Sequence, residues 1–71
     1  MNDELVSGAE FEDHETQRRF VFEELGEPRS DGAAMAKGWW SYFCEHRQDV
    51  VRNRGAVRLS LLTDGDRFRR V

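Results

Sequence analysis

Signals for disulfides and membrane insertion are scarce in this chain of 71 residues, which contains one cysteine, Cys44. A single cysteine excludes an internal disulfide and is typical of a reducing compartment. No apolar run approaches the roughly 20 residues of a membrane-spanning helix, and the acidic beginning MNDELVSGAEFED does not resemble a secretory signal. We therefore expect a cytoplasmic protein with no membrane partner.

Motifs that hold nucleotides or metal ions are also missing. Neither GxGxxG nor GxxxxGK[ST] occurs, which excludes the common nucleotide-binding loops. Cys44 and His46 would lie about 200° apart on a helix and lack further ligands, which argues against a zinc site and against a nucleophile pair. The segment TDGD lacks the spacing and the bidentate glutamate of a calcium loop. We expect no catalytic residue, no cofactor and no metal.

Apolar residues are few, at 38%, and charged residues are many, at 35%. Five Phe, two Trp and one Tyr nevertheless supply large side chains to bury, so we expect a folded chain. A domain this short buries only roughly 60% of the surface of its unfolded chain, and its stability should be low. The length predicts a single domain, residues 1–71, with 1–8 as a disordered start.

Charge is divided unevenly along the chain, whose net charge is −3. Residues 1–31 contain ten acids and three arginines, a charge of −7, whereas residues 32–71 contain eight basic residues and four acids, a charge of +4. One interpretation is that the two halves pack together and neutralise each other. The other is an acidic face and a basic face, which would also allow a homodimer that pairs acidic with basic halves.

The clearest local pattern is at the end, where AVRLSLL, TDGD and RFRRV predict a β-hairpin with its turn at Asp64–Gly65. In that register Leu59, Leu61 and Phe68 would face the core. Arg58, Arg67 and Arg69 would lie on the other, solvent-exposed face.

The preceding segment, 31–54, predicts a helix, with Asp31 at its N-cap, Gly55 after its end and a break at Gly38. Its apolar stripe is centred near Phe43, and the adjacent Trp39 and Trp40 flank that stripe, so we expect Phe43 and at least one tryptophan in the core. The predicted core residues are Phe20, Phe22, Phe43, Leu59 and Leu61.

Residues 9–25 allow two interpretations. AEFED can pair with RRFVFEEL as a hairpin, which places Phe20 and Phe22 on one face, or DHETQRRFVFEEL can form a helix that leaves Phe20 opposite the other apolar residues. The hairpin predicts an α+β domain of order ββαββ, with one helix packed across an antiparallel sheet. The alternative is αα followed by a C-terminal β-hairpin.

A small, acidic chain with spare aromatic residues is typical of a module that binds another protein. We expect a non-enzymatic regulator or inhibitor that occupies a basic surface of its partner. Small acidic inhibitors from phages and mobile elements have compact folds of this kind, an analogy at the level of the fold alone. The candidate partner-binding residues are Glu10, Glu12, Asp13, Glu15, Glu23, Glu24, Trp39 and Tyr42. The alternative is a nucleic-acid-binding protein that uses the basic outer face of the C-terminal hairpin, Arg58, Arg67 and Arg69.

Overall fold

An antiparallel sheet of five strands dominates the computed structural model, which describes residues 5–64 and 66–71. The elements in chain order are β1 (Glu10–Asp13), β2 (Arg18–Leu25), β3 (Met35–Cys44), β4 (Asp49–Arg58), α1 (Leu59–Asp64) and β5 (Phe68–Arg70). The strands lie in the order β4-β3-β2-β1-β5, so β4 and β5 form the two edges of the sheet. The chain is thus a small domain, mostly antiparallel sheet with one short helix.

The hairpin interpretation of residues 9–25 is confirmed. β1 and β2 pair antiparallel with Phe11 opposite Phe20, and a four-residue turn joins them. Because side chains alternate along a strand, Phe20 and Phe22 share one face. Both are buried, at 0% and 5% exposure. The hairpin therefore buries its aromatic residues on one side of the sheet, as the pattern of β2 predicts.

The helix predicted over 31–54 is wrong, because this segment forms the long hairpin of β3 and β4. Its aromatic and β-branched residues favour strands, and in a strand the adjacent Trp39 and Trp40 point to opposite faces. Gly38 and Gly55, which were expected to break and end the helix, lie opposite each other across the two strands. The order ββαββ and its all-helical alternative for residues 9–54 are both replaced by four consecutive strands.

The predicted C-terminal hairpin is also wrong. Leu59–Asp64 forms the helix α1, and β5 pairs with β1 instead of with the segment before it. Leu59 and Leu62 are three residues apart, a helical spacing that turns both towards the sheet, and Leu62 is buried. Of the predicted turn, Gly65 lies outside the described residues.

The core lies between α1 and one side of the sheet, which we call the inner face and which carries Phe11, Phe20 and Trp40. Trp40 packs edge-on against Phe20, with ring centroids 5.3 Å apart. Its indole lies across Gly55, where a Cβ would be only 2.6 Å from the ring. The buried apolar residues are Ala9, Phe11, Phe20, Phe22, Ala36, Leu62 and Phe68.

Three of the five predicted core residues need correction. Phe43 is 57% exposed, because its place in β3 puts it on the opposite side of the sheet, the outer face. Leu59 and Leu61 pack against the core but are only partly buried. The expectation that one tryptophan joins the core is met in part by Trp40, which is partly buried against it.

Candidate functional site

The outer face carries charge that changes sign across the strands. The strand register places Trp39, Ser41 and Phe43 of β3 on this face, next to Arg54, Arg52 and Val50 of β4. The acids of the outer face lie on β1 and β2, which are not edge strands. They are Glu10, Glu12, Glu23 and Glu24. Its basic residues on β4 are Arg52, Arg54 and Arg58. The face is therefore acidic towards its middle and basic along the β4 edge.

Ion pairs join acids of the first half of the chain to basic residues of β3 and β4. Glu23 lies 3.5 Å from Arg54, Glu24 lies 3.7 Å from Lys37, and Asp31 of the β2–β3 loop lies 3.0 Å from Arg58. Each pair joins an acid of the first 31 residues to a basic residue of the remainder. Such exposed pairs contribute little to stability, because water and salt screen their charges. They support the interpretation that the two halves of the chain neutralise each other.

Arg52 is different from its neighbours on β4. Arg54 is bound to Glu23 and its guanidinium carbon lies 4.3 Å above the ring of Trp39, and Arg58 is bound to Asp31. Arg52 forms no ion pair with the residues that the structure describes. It borders a shallow depression of about 230 Å³ lined by Glu10, Val21, Trp39, Ser41 and Arg52. Its charge is therefore available to a ligand.

The backbone of β4 is the second component of this site. β4 is ten residues long and pairs on one side with β3 along its whole length. In the described part of the chain no strand pairs with its other side. On that side, alternate residues present N–H and C=O groups that a further strand would bond. The N–H of Val50 already donates to the carboxylate of Asp49, at 2.8 Å, and would have to exchange that bond. Two apolar side chains, Phe43 and Val50, are exposed at one end of it, at 57% and 53%.

Asp13 is not a surface carboxylate, contrary to the sequence-based expectation, because it is 1% exposed. Arg67 donates to both its oxygens, from Nε at 3.2 Å and from Nη2 at 3.0 Å. The backbone N–H of Glu15 and the hydroxyl of Thr16 donate to it as well. The bond from Arg67 holds the pKa of Asp13 below its usual range, although burial opposes this shift. Asp13 and Arg67 thus join the β1–β2 turn to β5.

The other candidate residues are dispersed. Tyr42 lies on the inner face under the guanidinium of Arg18, 4.5 Å from its ring centroid, so it cannot share a patch with Trp39 on the outer face. Glu15 is exposed in the β1–β2 turn, 4.0 Å from Arg67. The candidates Glu10, Glu12, Glu23 and Glu24 do share the outer face, where Glu10 binds Arg19 at 3.5 Å.

The three arginines of the nucleic-acid alternative do not form a group. Their proposed face depends on the C-terminal hairpin, which is absent from the fold. Arg58 lies at the end of β4 and Arg69 on β5, at opposite edges of the sheet. Arg67 is held by Asp13.

Sequence reasoning missed the β4 edge because it assigned 31–54 to a helix. A signal was present: VVRNR at 50–54 puts two arginines two residues apart after two valines, a pattern typical of a strand. Arg52 and Arg54 would then share a face.

Among the described residues, no group of three or more His, Cys, Asp or Glu side chains is placed to hold a metal ion. The one described helix, six residues long, is too short to cross a membrane. Comparison of the chain with protein-family models, with curated proteins and with solved structures gave no match.

Proposed function

We propose that this protein is a non-enzymatic module that binds an extended, acidic segment of a partner protein along the edge of β4. The observation that carries the proposal is a ten-residue edge strand with a basic outer side. An extended peptide that adds a strand to such an edge gains affinity from main-chain hydrogen bonds and specificity from alternate side chains. By covering that segment the module would regulate or inhibit its partner.

The sign of the partner's charge follows from the residues that remain available. The acids of the outer face lie beside basic residues of the same chain, with Glu23 bound to Arg54 and Glu24 to Lys37. Arg52 lies on the open edge with no such partner among the described residues. An acidic segment beside β4 fits this distribution better than the basic partner surface that composition alone suggests.

A second copy of the chain is a poor occupant of the same edge. An antiparallel pair of β4 strands about a twofold axis perpendicular to the sheet keeps each side chain on its own face. With the axis at 52 or 54, an arginine opposes its own copy. With the axis at 53, Arg52 opposes Arg54, and with the axis at 55 or 56, Arg58 opposes Arg52 or Arg54, respectively. Like charges directly opposite each other destabilise a sheet. The arginines therefore favour a different, acidic strand.

Selection of binders from a library of 12-residue peptides, followed by amide hydrogen exchange of the complex, tests this proposal. The expected result is slowed exchange in β4 when peptide is bound. Arg52→Glu should weaken the selected peptide about tenfold, the change expected when roughly 1.4 kcal/mol of charge attraction is lost.

Arg69→Glu is the matched control, because it makes the same change of charge on the opposite edge strand of the same face. Its affinity for the peptide should stay within about twofold of the unmodified protein, since the charge is distant and screened. Protection confined to β1 and β2, or an equal loss of affinity in both variants, would contradict the proposal.

A further inference from the structure

We infer that the bound segment carries acidic residues at two alternate positions followed by an apolar residue, in the order acid-x-acid-x-apolar from its N-terminus. This inference rests on the proposed function and specifies the chemistry of the partner. It follows from three of the five rows of side chains that β3 and β4 present together on the outer face, the three nearest the β3–β4 turn.

Two of these rows end at the open edge with an arginine and the third with a valine. The first row runs from Trp39 to Arg54, and the second from Ser41 to Arg52. A residue of the added strand directly opposite an arginine lies about 5 Å from it at Cβ, within reach of a charge pair. Acids opposite Arg54 and Arg52 would be two residues apart in the segment, because every second side chain of a strand has the same face.

The third row is apolar. Phe43 and Val50 lie opposite each other and are both more than half exposed. An apolar residue opposite Val50 would extend this row and remove apolar surface from water. Position 50 follows 54 and 52 at the same spacing, so this residue lies two positions from the nearer acid.

The direction of the segment fixes the order of the motif. Every described strand pair in the sheet is antiparallel, and antiparallel pairing is slightly more stable per residue. A segment antiparallel to β4 passes Arg54 first, then Arg52, then Val50. A parallel segment would require the reverse order, with the apolar residue first.

Arg52 should contribute more to recognition than Arg54. An acid opposite Arg54 competes with Glu23, 3.5 Å away, whereas Arg52 has no ion pair to give up among the described residues. The second acid of the motif, opposite Arg52, is therefore the one whose replacement costs most affinity. An acid moved by one position would point to the inner face, beside Val51 and Asn53 instead of beside an arginine.

Three synthetic 12-residue peptides of identical composition test the motif. The first contains acid-x-acid-x-apolar, the second has the same five positions in reverse order, and the third has its two acids adjacent. Fluorescence anisotropy should show the first peptide binding at least about tenfold more tightly than the other two. Equal affinities of the three peptides would overturn the inference.

A charge exchange tests the register directly. Arg52→Glu should lose binding of the first peptide and regain it when the second acid of that peptide is replaced by lysine, whereas lysine at the first acid should restore less. Equal restoration by both lysine peptides would overturn the inferred register. If all three peptides bind equally and slow exchange in β4, the motif is wrong but the proposed addition of a strand to β4 is supported. If peptides bind without slowing exchange in β4, both the motif and the proposed function are wrong.

Discussion

At the scale of single residues, the buried carboxylate of Asp13 is the polar group on which stability depends most directly. It accepts hydrogen bonds from Arg67, from the backbone of Glu15 and from Thr16, all within 3.2 Å. Removing Arg67, whose side chain is itself 40% exposed, would open the Asp13 carboxylate to water and take away its charged partner. Arg67→Ala should therefore lower the urea midpoint, because Asp13 keeps only the hydrogen bonds from Glu15 and Thr16.

The same pair makes stability depend on pH in acid. The pKa of Asp13 is lower in the folded chain than its usual value of about 3.9. The contribution of Asp13 to the free energy of unfolding is therefore complete above that value. It is lost as the pH falls through the pKa of the folded chain. Urea denaturation between pH 2 and pH 7 should show this loss, and Asp13→Asn should make it smaller. Part of the loss should remain, because hydrogen bonds from Ala33 and Arg58 lower the pKa of Asp31 as well. Glu15→Gln, which changes the exposed carboxylate near Arg67, should leave the acid limb in place; an unchanged limb in Asp13→Asn would refute the assignment.

At the scale of elements, two phenylalanines test whether the second half of the chain forms strands. Phe20 has no exposure and packs against Trp40, so Phe20→Ala should cost about 3–5 kcal/mol. Phe43 is more than half exposed on the outer face, where it lies opposite Val50 in the β3–β4 hairpin. Phe43→Ala should cost no more than about 1 kcal/mol, the value of one cross-strand pair. Urea midpoints of the two variants measure this difference, and a Phe43→Ala protein that unfolds would favour a helix across the sheet.

The elements also show where the sequence is informative. β1 and β2 could be predicted because only the strand pattern gives Phe20 and Phe22 a common face. β3 and β4 could not, because the apolar residues of 31–54 fit a helical stripe nearly as well, and both glycines suit a helix break and a helix end. Their cross-strand pairing is non-local, as is the packing of Trp40 over Gly55, and neither leaves a local signal. β5 was misassigned for the same reason, because it pairs with β1 from the other end of the chain.

At the scale of the whole molecule, the arginines of β4 should keep the protein monomeric. Pairing of acids and bases within one chain weakens the charge argument for a homodimer. The registers that pair most of β4 with itself, with the axis at 52 to 56, oppose arginines. Sedimentation at low salt should therefore give a monomer. Replacing Arg52, Arg54 and Arg58 by threonine, which favours strands, should allow self-association.

Replacing Arg29, Arg47 and Arg69 by threonine changes the net charge by the same amount and leaves β4 intact. This second variant should stay monomeric. Association of the unmodified protein at low salt, or identical behaviour of the two variants, would show that the edge is not protected by its charge.

The proposed site could not be predicted from the sequence, which favoured acidic residues, whereas the site depends on Arg52 of the β4 edge. Uneven charge and spare aromatic residues indicate a binding surface, but which acids remain available depends on the strand order, which brings Glu23 next to Arg54 from 31 residues away. Arg52 acquires its role from two facts that no local pattern contains, its place on an edge and the lack of a described carboxylate partner.

The placement of Trp39 and Trp40 on opposite faces of one strand has an optical consequence. Trp40 lies against Phe20 and Phe68, so its emission follows the integrity of the core. Trp39 lies under the guanidinium of Arg54, next to the open edge, so its emission follows whatever draws that guanidinium away. Two adjacent residues thus give the protein two intrinsic fluorophores in different surroundings, one against the core and one against Arg54 beside the open edge.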